Sequence, residues 1–183
     1  MTRYRSHRFT EDWGEEEMRA LYLNGMNWSV FVQAERDEAT IELGKSLDRV
    51  ESVADMSAGG SRITPMIASH YGVIPFLGDY GDAYGYQFRG TLQETVPALP
   101  SVDLFVCSET IEHLTDPDAD LALIRGKTKN LLLTTPIWEE PHMVSHGHLW
   151  TWRREDVEQM LADAGFTPFR FVEISIFGLW LAQ

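Results

Sequence analysis

The order of apolar runs after Val50 constrains this chain more than any other feature. "VESVADM", "VIPFLGDY", "GYQFRGTL", "VDLFVC" and "NLLLTTPI" read as strands, with helical segments such as "SRITPMIASHYG" interleaved among them. Alternation of this kind predicts a parallel sheet with helices on both faces, because a parallel pair needs a crossover and a helix makes one compactly. The chain then closes with "TPFRFVEIS" and "IFGLWLAQ", two β-like runs around Ser175 to Gly178 with no helix between them. They must pair as a hairpin, which places one antiparallel strand in an otherwise parallel sheet.

The helices carry their own punctuation. In "TDPDADLALIRGKTK" Asp116 is placed to cap, Pro117 suits the first helical position, and Asp118 and Asp120 favour the positive end of the dipole. "RREDVEQMLADAGF" puts Val157, Met160, Leu161 and Ala164 on one face, with Gly165 as the stop. Residues 10–48 also read as helical. Met18, Leu21 and Tyr22 share a face, and "NWSVFVQAERDEATIELGKSL" resumes after the Asn24-Gly25 break.

Composition excludes several classes. With 183 residues, 44% of them hydrophobic, the chain suits one domain with a real core. A net charge of −13 argues against charge-driven nucleic-acid binding, despite the small basic patch of Arg3, Arg5 and Arg8. Cys107 is the only cysteine, which rules out an internal disulfide and fits a reducing compartment. No apolar run approaches the roughly 18 residues of a membrane span, and "MTRYRSHRFTEDW" has no apolar segment of a secretory signal. A cytoplasmic protein without a membrane span is expected.

Four stretches carry chemistry-bearing residues. "VADMSAGGSRIT" is a strand, a small-residue turn and a helix start, in which Ser61 or Thr64 is placed to cap. Against the dinucleotide pattern G-x-G-x-x-G, its glycine positions hold Ser57, Gly59 and Arg62. In "GDYGD", Asp79 follows Gly59 at about the 20-residue interval at which a carboxylate meets ribose hydroxyls, with Asp82 as a competitor. "VDLFVCSETIEHLTDPD" concentrates Glu109, Glu112 and His113 beyond a buried strand, where open α/β sheets bind ligands. Such groups orient a substrate, supply a base or hold a hard cation. "PIWEEPHMVSHGHLWTW" sets His142, His146 and His148 among Trp138, Trp150 and Trp152, which suits a small organic substrate and general-base work. Each stretch also has a plain reading as an ordinary turn or a braced loop. The spacing is not that of a structural zinc site, and neither a Walker-type G-K-[ST] nor a G-x-S-x-G elbow is present.

From Val53 to Phe166, about two thirds of the chain, the sequence resembles the class I S-adenosylmethionine-dependent methyltransferases. "VADMSAGGS" is similar to their first motif, V-L-D-L-G-x-G-x-G, and "CSETIEHLTDPD" to the C-S-E-V-L-E-H-L-x-D-P stretch of the subgroup containing ubiquinone-pathway O-methyltransferases. "NLLLTTPI" with "HLWTWRREDVEQMLADAGF" resembles that subgroup's fifth strand, histidine-bearing loop and A-G-F helix.

The resemblance implies a Rossmann-like α/β fold of seven strands, mostly parallel, with helices on both faces and the last strand antiparallel. It implies S-adenosylmethionine as cofactor, cradled by Asp55, Ser57, Ala58, Gly59 and Gly60, with Asp79 at the ribose, Thr91 near the adenine, and Ser108 and Glu109 lining the pocket. Residues 1–48, with Trp13, Tyr22, Trp28 and Phe31, are expected to form a helical lid that sets substrate choice, and residues 49–183 the core. Methyl transfer to an O or N atom of a small-molecule acceptor is the expected reaction, with His113 or His146 as base or orienter and Glu112 beside them. Three departures stand out: Ser57 and Ser61 replace glycines, and Thr91 lacks the usual carboxylate.

A narrower resemblance links Glu109-x-x-Glu112-His113 and a later histidine to the metal site of small-RNA 3′-end 2′-O-methyltransferases. It offers Glu109, Glu112, His113 and His146 as a metal set, but the same pattern is widespread in small-molecule enzymes, so no metal and no nucleic-acid partner is expected. "CSETIE" also stands where DNA-base methyltransferases carry N-P-P-Y or D-P-P-Y. The remaining alternatives are a non-catalytic binding protein of this fold and a nicotinamide dehydrogenase, against which the terminal hairpin speaks.

Overall fold

The computed structural model describes residues 4–5, 30–81, 83–137, 139 and 147–183. The expected helix around Met18, Leu21 and Tyr22, the competing carboxylate Asp82, and Trp138, His142 and His146 lie outside them. In chain order the elements are β1 (Tyr4–Arg5), α1 (Val30–Gly44), β2 (Val53–Asp55), α2 (Ile63–Tyr71), β3 (Phe76–Asp79), β4 (Phe88–Arg89) and the single-turn α3 (Leu92–Thr95). There follow β5 (Val102–Ser108), α4 (Pro117–Arg125), β6 (Thr128–Pro136), β7 (Trp150–Thr151), α5 (Arg154–Asp163), β8 (Pro168–Ile174) and β9 (Phe177–Ala182).

Seven strands form one sheet in the order β4-β3-β2-β5-β6-β9-β8. β2, β3, β4, β5 and β6 pair in parallel, whereas β9 runs antiparallel to both β6 and β8. The final hairpin is thus the one its sequence demands, turning through Ser175 in a left-handed conformation (φ 55°) and pairing Ile174 with Phe177. A second, two-stranded ribbon pairs Tyr4 with Thr151, a contact that nothing in the local sequence announces.

Alternation along the central strands divides the core into two layers. Phe105, Cys107, Leu131 and Leu133 face Leu121, Ile124, Val157, Met160, Leu161 and Phe166 on one side. Leu104, Val106 and Leu132 face Ile41, Ile63 and Ile67 on the other. This is the period of two expected of a sheet covered on both faces. α1 belongs to the second layer and packs on α2, β6, β8 and β9.

Helix ends follow the sequence closely. Asp116 caps α4 by accepting from the Ala119 N–H at 3.1 Å, and Gly165 leaves α5 with φ 88°. Ser61 Oγ accepts from the Ile63 N–H at 3.1 Å at the start of α2. Thr64 lies inside that helix and its hydroxyl donates to Asp55 instead.

Asp120 departs from its expected role. It is wholly buried, with Oδ1 accepting from Gln93 Nε2 at 2.6 Å and Oδ2 without a partner. Burial, with the nearby Asp116 charge, pushes its carboxyl up to about 6. A raised carboxylate pKa means that the fold disfavours the ionised form. Its contribution is therefore best below the ordinary value near 4 and is lost as pH climbs to about 6. Asp120→Asn should gain about 2 kcal/mol on the wild type between pH 4 and pH 7, read as diverging midpoints in urea denaturation at the two pH values.

Candidate active site

The strand order reverses between β2 and β5, and open α/β sheets take ligands at the carboxyl ends of the strands at such a point. Every motif singled out in the sequence leaves the sheet on that edge. Asp55 ends β2 as a buried carboxylate whose Oδ1 accepts the Ser57 N–H at 3.0 Å and whose Oδ2 accepts the Thr64 hydroxyl at 2.7 Å. Burial raises its pKa to about 6 against the pull of those two bonds. Asp55 braces the loop from beneath.

The serine in the first glycine position is turned aside. Ser57 Oγ lies 2.8 Å from Thr110 Oγ1, which itself donates to the Ser108 carbonyl at 3.0 Å. Its hydroxyl thereby ties the β2 loop to the β5 loop across the switch point. Ala58 is buried, its N–H donating to the Gly78 carbonyl. Gly59 has φ 51°, and a Cβ placed on it would have nothing within 4 Å, so the loop presents an open cradle there. At Gly60 a Cβ would stand 3.2 Å from the Tyr84 ring.

Asp79 ends β3 and reaches back to this loop. Its Oδ2 accepts the Gly59 N–H at 2.8 Å and its Oδ1 the Gly81 N–H at 2.9 Å. Each carboxylate oxygen takes about two hydrogen bonds, so both retain a free lone pair. Thr91 stands two residues past Arg89, the strand partner of Asp79, and caps α3 in a reciprocal box with Glu94.

Beyond β5 lies a run of polar groups at the ends of β5 and β6. Ser108 Oγ is 2.8 Å from Thr134 Oγ1, whose hydroxyl donates to Glu109 Oε1 at 2.8 Å. Glu109 is non-glycine yet left-handed (φ 52°). Its Oε2 pairs with Arg36 of α1 at 3.0 Å, and the guanidinium also lies 5.0 Å from the Phe177 ring centre. Burial raises the Glu109 pKa, and Arg36 works against that rise.

Glu112 is 1% exposed, and only one of its carboxylate oxygens has a partner. Oε2 accepts the Thr135 hydroxyl at 3.0 Å, while buried Oε1 has none. Burial, then the Glu109 charge, raises its pKa to about 8. Oε1 sits 4.0 Å from His113 Nε2. His113 Nδ1 lies 2.8 Å from the Gly147 carbonyl, which fixes that nitrogen as the donor and leaves a lone pair on Nε2. Burial lowers its pKa to about 3, so the ring is neutral at physiological pH.

The loop after β6 is pinned over this pair. The Leu149 N–H donates to the Glu112 carbonyl at 2.7 Å and the Trp150 indole to the Leu114 carbonyl at 2.7 Å. That pinning sets His148 edge-on to His113 with ring centres 4.7 Å apart. His148 Nδ1 is 2.6 Å from Glu139 Oε2. Burial lowers the His148 pKa, but the bond to Glu139 and the surrounding carboxylates reverse that into a net rise. One donor atom each from Glu112, His113 and His148 lies within 4.8 Å of the others.

The structure therefore brings Asp55, Ser57, Ala58, Gly59, Gly60 and Asp79 to one loop system and Ser108, Glu109, Glu112 and His113 to its neighbour. His148 lies beside His113; His146, the other sequence candidate for a base, lies outside the described residues. Trp152 is a core residue, with its indole donating to Thr135 Oγ1, and not part of a substrate wall. Arg36, Tyr86, Thr134 and Glu139 escaped sequence reasoning, because nothing local marks a residue that acts across the fold.

Solved structures of known proteins share this architecture. The chain superposes on human N-acetylserotonin methyltransferase, solved with S-adenosylmethionine, at 16% identity and TM-score 0.63, covering 84% of this chain and 54% of that one. For the Burkholderia thailandensis 1,6-didemethyltoxoflavin-N1-methyltransferase, solved with its substrate and S-adenosylhomocysteine, the figures are 16%, 0.61, 81% and 80%. For the pyocyanin biosynthetic protein PhzM they are 20%, 0.55, 79% and 53%. The fold is that of the class I methyltransferases. The chain spans about half the length of the human protein and of PhzM. No family model and no curated protein matches the sequence.

The Arg36–Glu109 pair joins α1 to this edge. Removing one partner of a half-buried pair leaves the other charge uncompensated, so Arg36→Met should cost about 2 kcal/mol in chemical denaturation. Adding Glu109→Gln should recover most of that loss.

Proposed function

We propose that the chain is an S-adenosylmethionine-dependent methyltransferase acting on an O or N atom of a small-molecule acceptor. The observation that carries this is the open Gly59 cradle beside Asp79, with the buried Glu112–His113 pair on the neighbouring loop of the same edge. The residues fit the cofactor. The Ser57 hydroxyl is taken up by Thr110, and Asp79 keeps the lone pairs that two ribose hydroxyls need. Asp55, Ser57, Ala58, Gly59 and Gly60 would form the cradle, Asp79 would take the ribose, and Thr91, Ser108 and Glu109 would border the pocket.

When bound, the cofactor supplies an electrophilic methyl group on a sulfonium. The chain supplies alignment and a proton acceptor. Glu112 Oε1, in the ionised form, would accept an N–H or O–H of the acceptor beside the His113 ring. Glu112, in its ionised form, is the stronger base of the two. His148, held by Glu139, stands alongside. Residues 1–48 would close the acceptor side as a lid, anchored through Arg36 on α1. Among the described residues no helix is long and apolar enough to cross a membrane.

One observation favours a metal-assisted version. The partnerless Glu112 oxygen faces two imidazoles, each with its other nitrogen oriented by a carbonyl or a carboxylate. Metal-binding histidines are commonly held in this manner. Glu112, His113 and His148 would hold the ion, which would supply Lewis acidity toward an acceptor oxygen. Glu109, already engaged by Arg36 and Thr134, is not needed for it. Protein incubated with zinc or manganese and desalted should retain about one ion per chain by elemental analysis, and His148→Ala should retain none. Equal retention by both would remove this version.

The cofactor reading is tested by calorimetric titration with S-adenosylmethionine and S-adenosylhomocysteine. Micromolar binding is expected, lost in Gly59→Asp, which puts a side chain and a negative charge into the open cradle. A folded wild-type chain that binds neither would favour a binding protein without catalysis.

A further inference from the structure

The cradle's central residue is gripped on both sides, and one of the grips comes from outside every motif in the sequence. The Gly59 N–H donates to Asp79 Oδ2 at 2.8 Å, and the Gly59 carbonyl accepts the Tyr86 hydroxyl at 2.6 Å. Tyr86 lies between β3 and β4, half-buried, and its ring stacks on Tyr84 at 5.6 Å with 22° between planes. Tyr84 in turn lies against Gly60. Gly59 itself adopts φ 51°, a left-handed conformation open to glycine at little cost, with no side chain to wedge it in place. The Ser61 N–H closes this turn on the Ala58 carbonyl at 3.1 Å, and the Tyr86 bond adds a hold on the Gly59 carbonyl.

We propose that Tyr86 is a positioning residue for cofactor binding, acting through Gly59 on the orientation of Asp79. This rests on the cofactor reading above. The bond from Tyr86 holds the Gly59–Gly60 peptide and the bond to Asp79 holds the Ala58–Gly59 peptide, so the two together fix the φ and ψ of Gly59. The N–H then holds one oxygen of Asp79, while the Gly81 N–H holds the other. The carboxylate that would take the ribose is thus set in a single orientation before ligand arrives, and such preorganisation raises affinity by lowering the ordering cost of binding. The groups facing the hydroxyl are the Gly59 carbonyl, the carboxylates of Asp55 and Asp79 and the Tyr84 ring. Burial and the two negative charges keep the phenol protonated, the state in which it donates.

Both serines that stand in glycine positions are hydrogen-bonded, Ser57 to Thr110 and Ser61, through its Oγ, to the Ile63 N–H.

The test is a double-mutant cycle read by calorimetry with S-adenosylhomocysteine. Tyr86→Phe keeps the ring stack and removes only the hydroxyl. It should weaken binding about tenfold, the scale of one well-placed hydrogen bond, while the melting temperature without ligand stays within a degree or two of wild type. In an Asp79→Asn background the same change should weaken binding less than about twofold, because the orientation it protects no longer serves a carboxylate. Tyr84→Phe, which keeps the stack and leaves the Gly59 bond intact, should bind as wild type. Unchanged affinity in Tyr86→Phe overturns the inference, as does an equal loss with and without Asp79→Asn, which would mark Tyr86 as merely structural. A wild-type chain that does not bind S-adenosylhomocysteine overturns the cofactor reading and this inference together, a result separable from the other two.

Discussion

A three-residue strand fixes where the chemistry of this protein lies. Val53, Ala54 and Asp55 of β2 are all buried, and Ala54 is flanked in parallel register by Phe76 on one side and Phe105 on the other. A strand so short and so enclosed has no latitude in register, since a shift by one residue would carry its side chains to the opposite layer. The chain must therefore leave the sheet at Asp55, at the point where the strand order reverses. The Asp55 carboxylate then receives Ser57 and Thr64, drawing both ends of the loop onto one buried anchor. The placement of the Gly59 cradle, of Asp79 across from it and of the Ser57–Thr110 bridge follows from that anchor.

Around it the edge is acidic to a degree that folding alone would not favour. Asp55, Glu109 and Glu112 all have raised pKa values with burial as the leading cause. The chain answers each differently. Asp55 has hydrogen bonds on both oxygens, Glu109 has a guanidinium and a hydroxyl, and Glu112 has one hydroxyl and one vacant oxygen. The least satisfied carboxylate is the one nearest the two histidines. A buried polar atom without a partner is costly, and this one lies 4.0 Å from a neutral imidazole.

The sheet was legible because its signals are local. A buried strand reads as an apolar run, α4 begins at an Asp-Pro pair, and the terminal hairpin follows from the missing helix between Ile174 and Phe177. The loop residues were legible as a set for the same reason, since β2, β3 and β5 end in Asp55, Asp79 and Ser108. Their partners were not. Arg36 reaches Glu109 from a helix that precedes the first strand of the main sheet, and Tyr86 reaches Gly59 over an irregular connection. The approach of His148 to His113 goes with a backbone bond from Leu149 to Glu112, a tertiary event that closely spaced histidines do not encode. Asp120 misled because its place in the first turn of α4 suits a dipole role, while the helix face it occupies is turned to Gln93 and the core.

The serines in the glycine loop acquire their meaning from these cross-fold contacts. A glycine loop ordinarily works by absence, with no side chain between backbone and ligand. Here Ser57 adds a hydroxyl, and the fold uses it to join the loops after β2 and β5. That junction makes the two loops one mechanical unit, because Thr110 continues to Ser108, and Ser108 through Thr134 to Glu109 and so to Arg36 of α1. A ligand seated on Gly59 and an acceptor seated by Glu112 would meet a continuous run of hydroxyls and carboxylates, with α1 at its far end. Displacing α1 would take Arg36 from Glu109, the far end of this polar run, besides uncovering the apolar layer on which α1 packs.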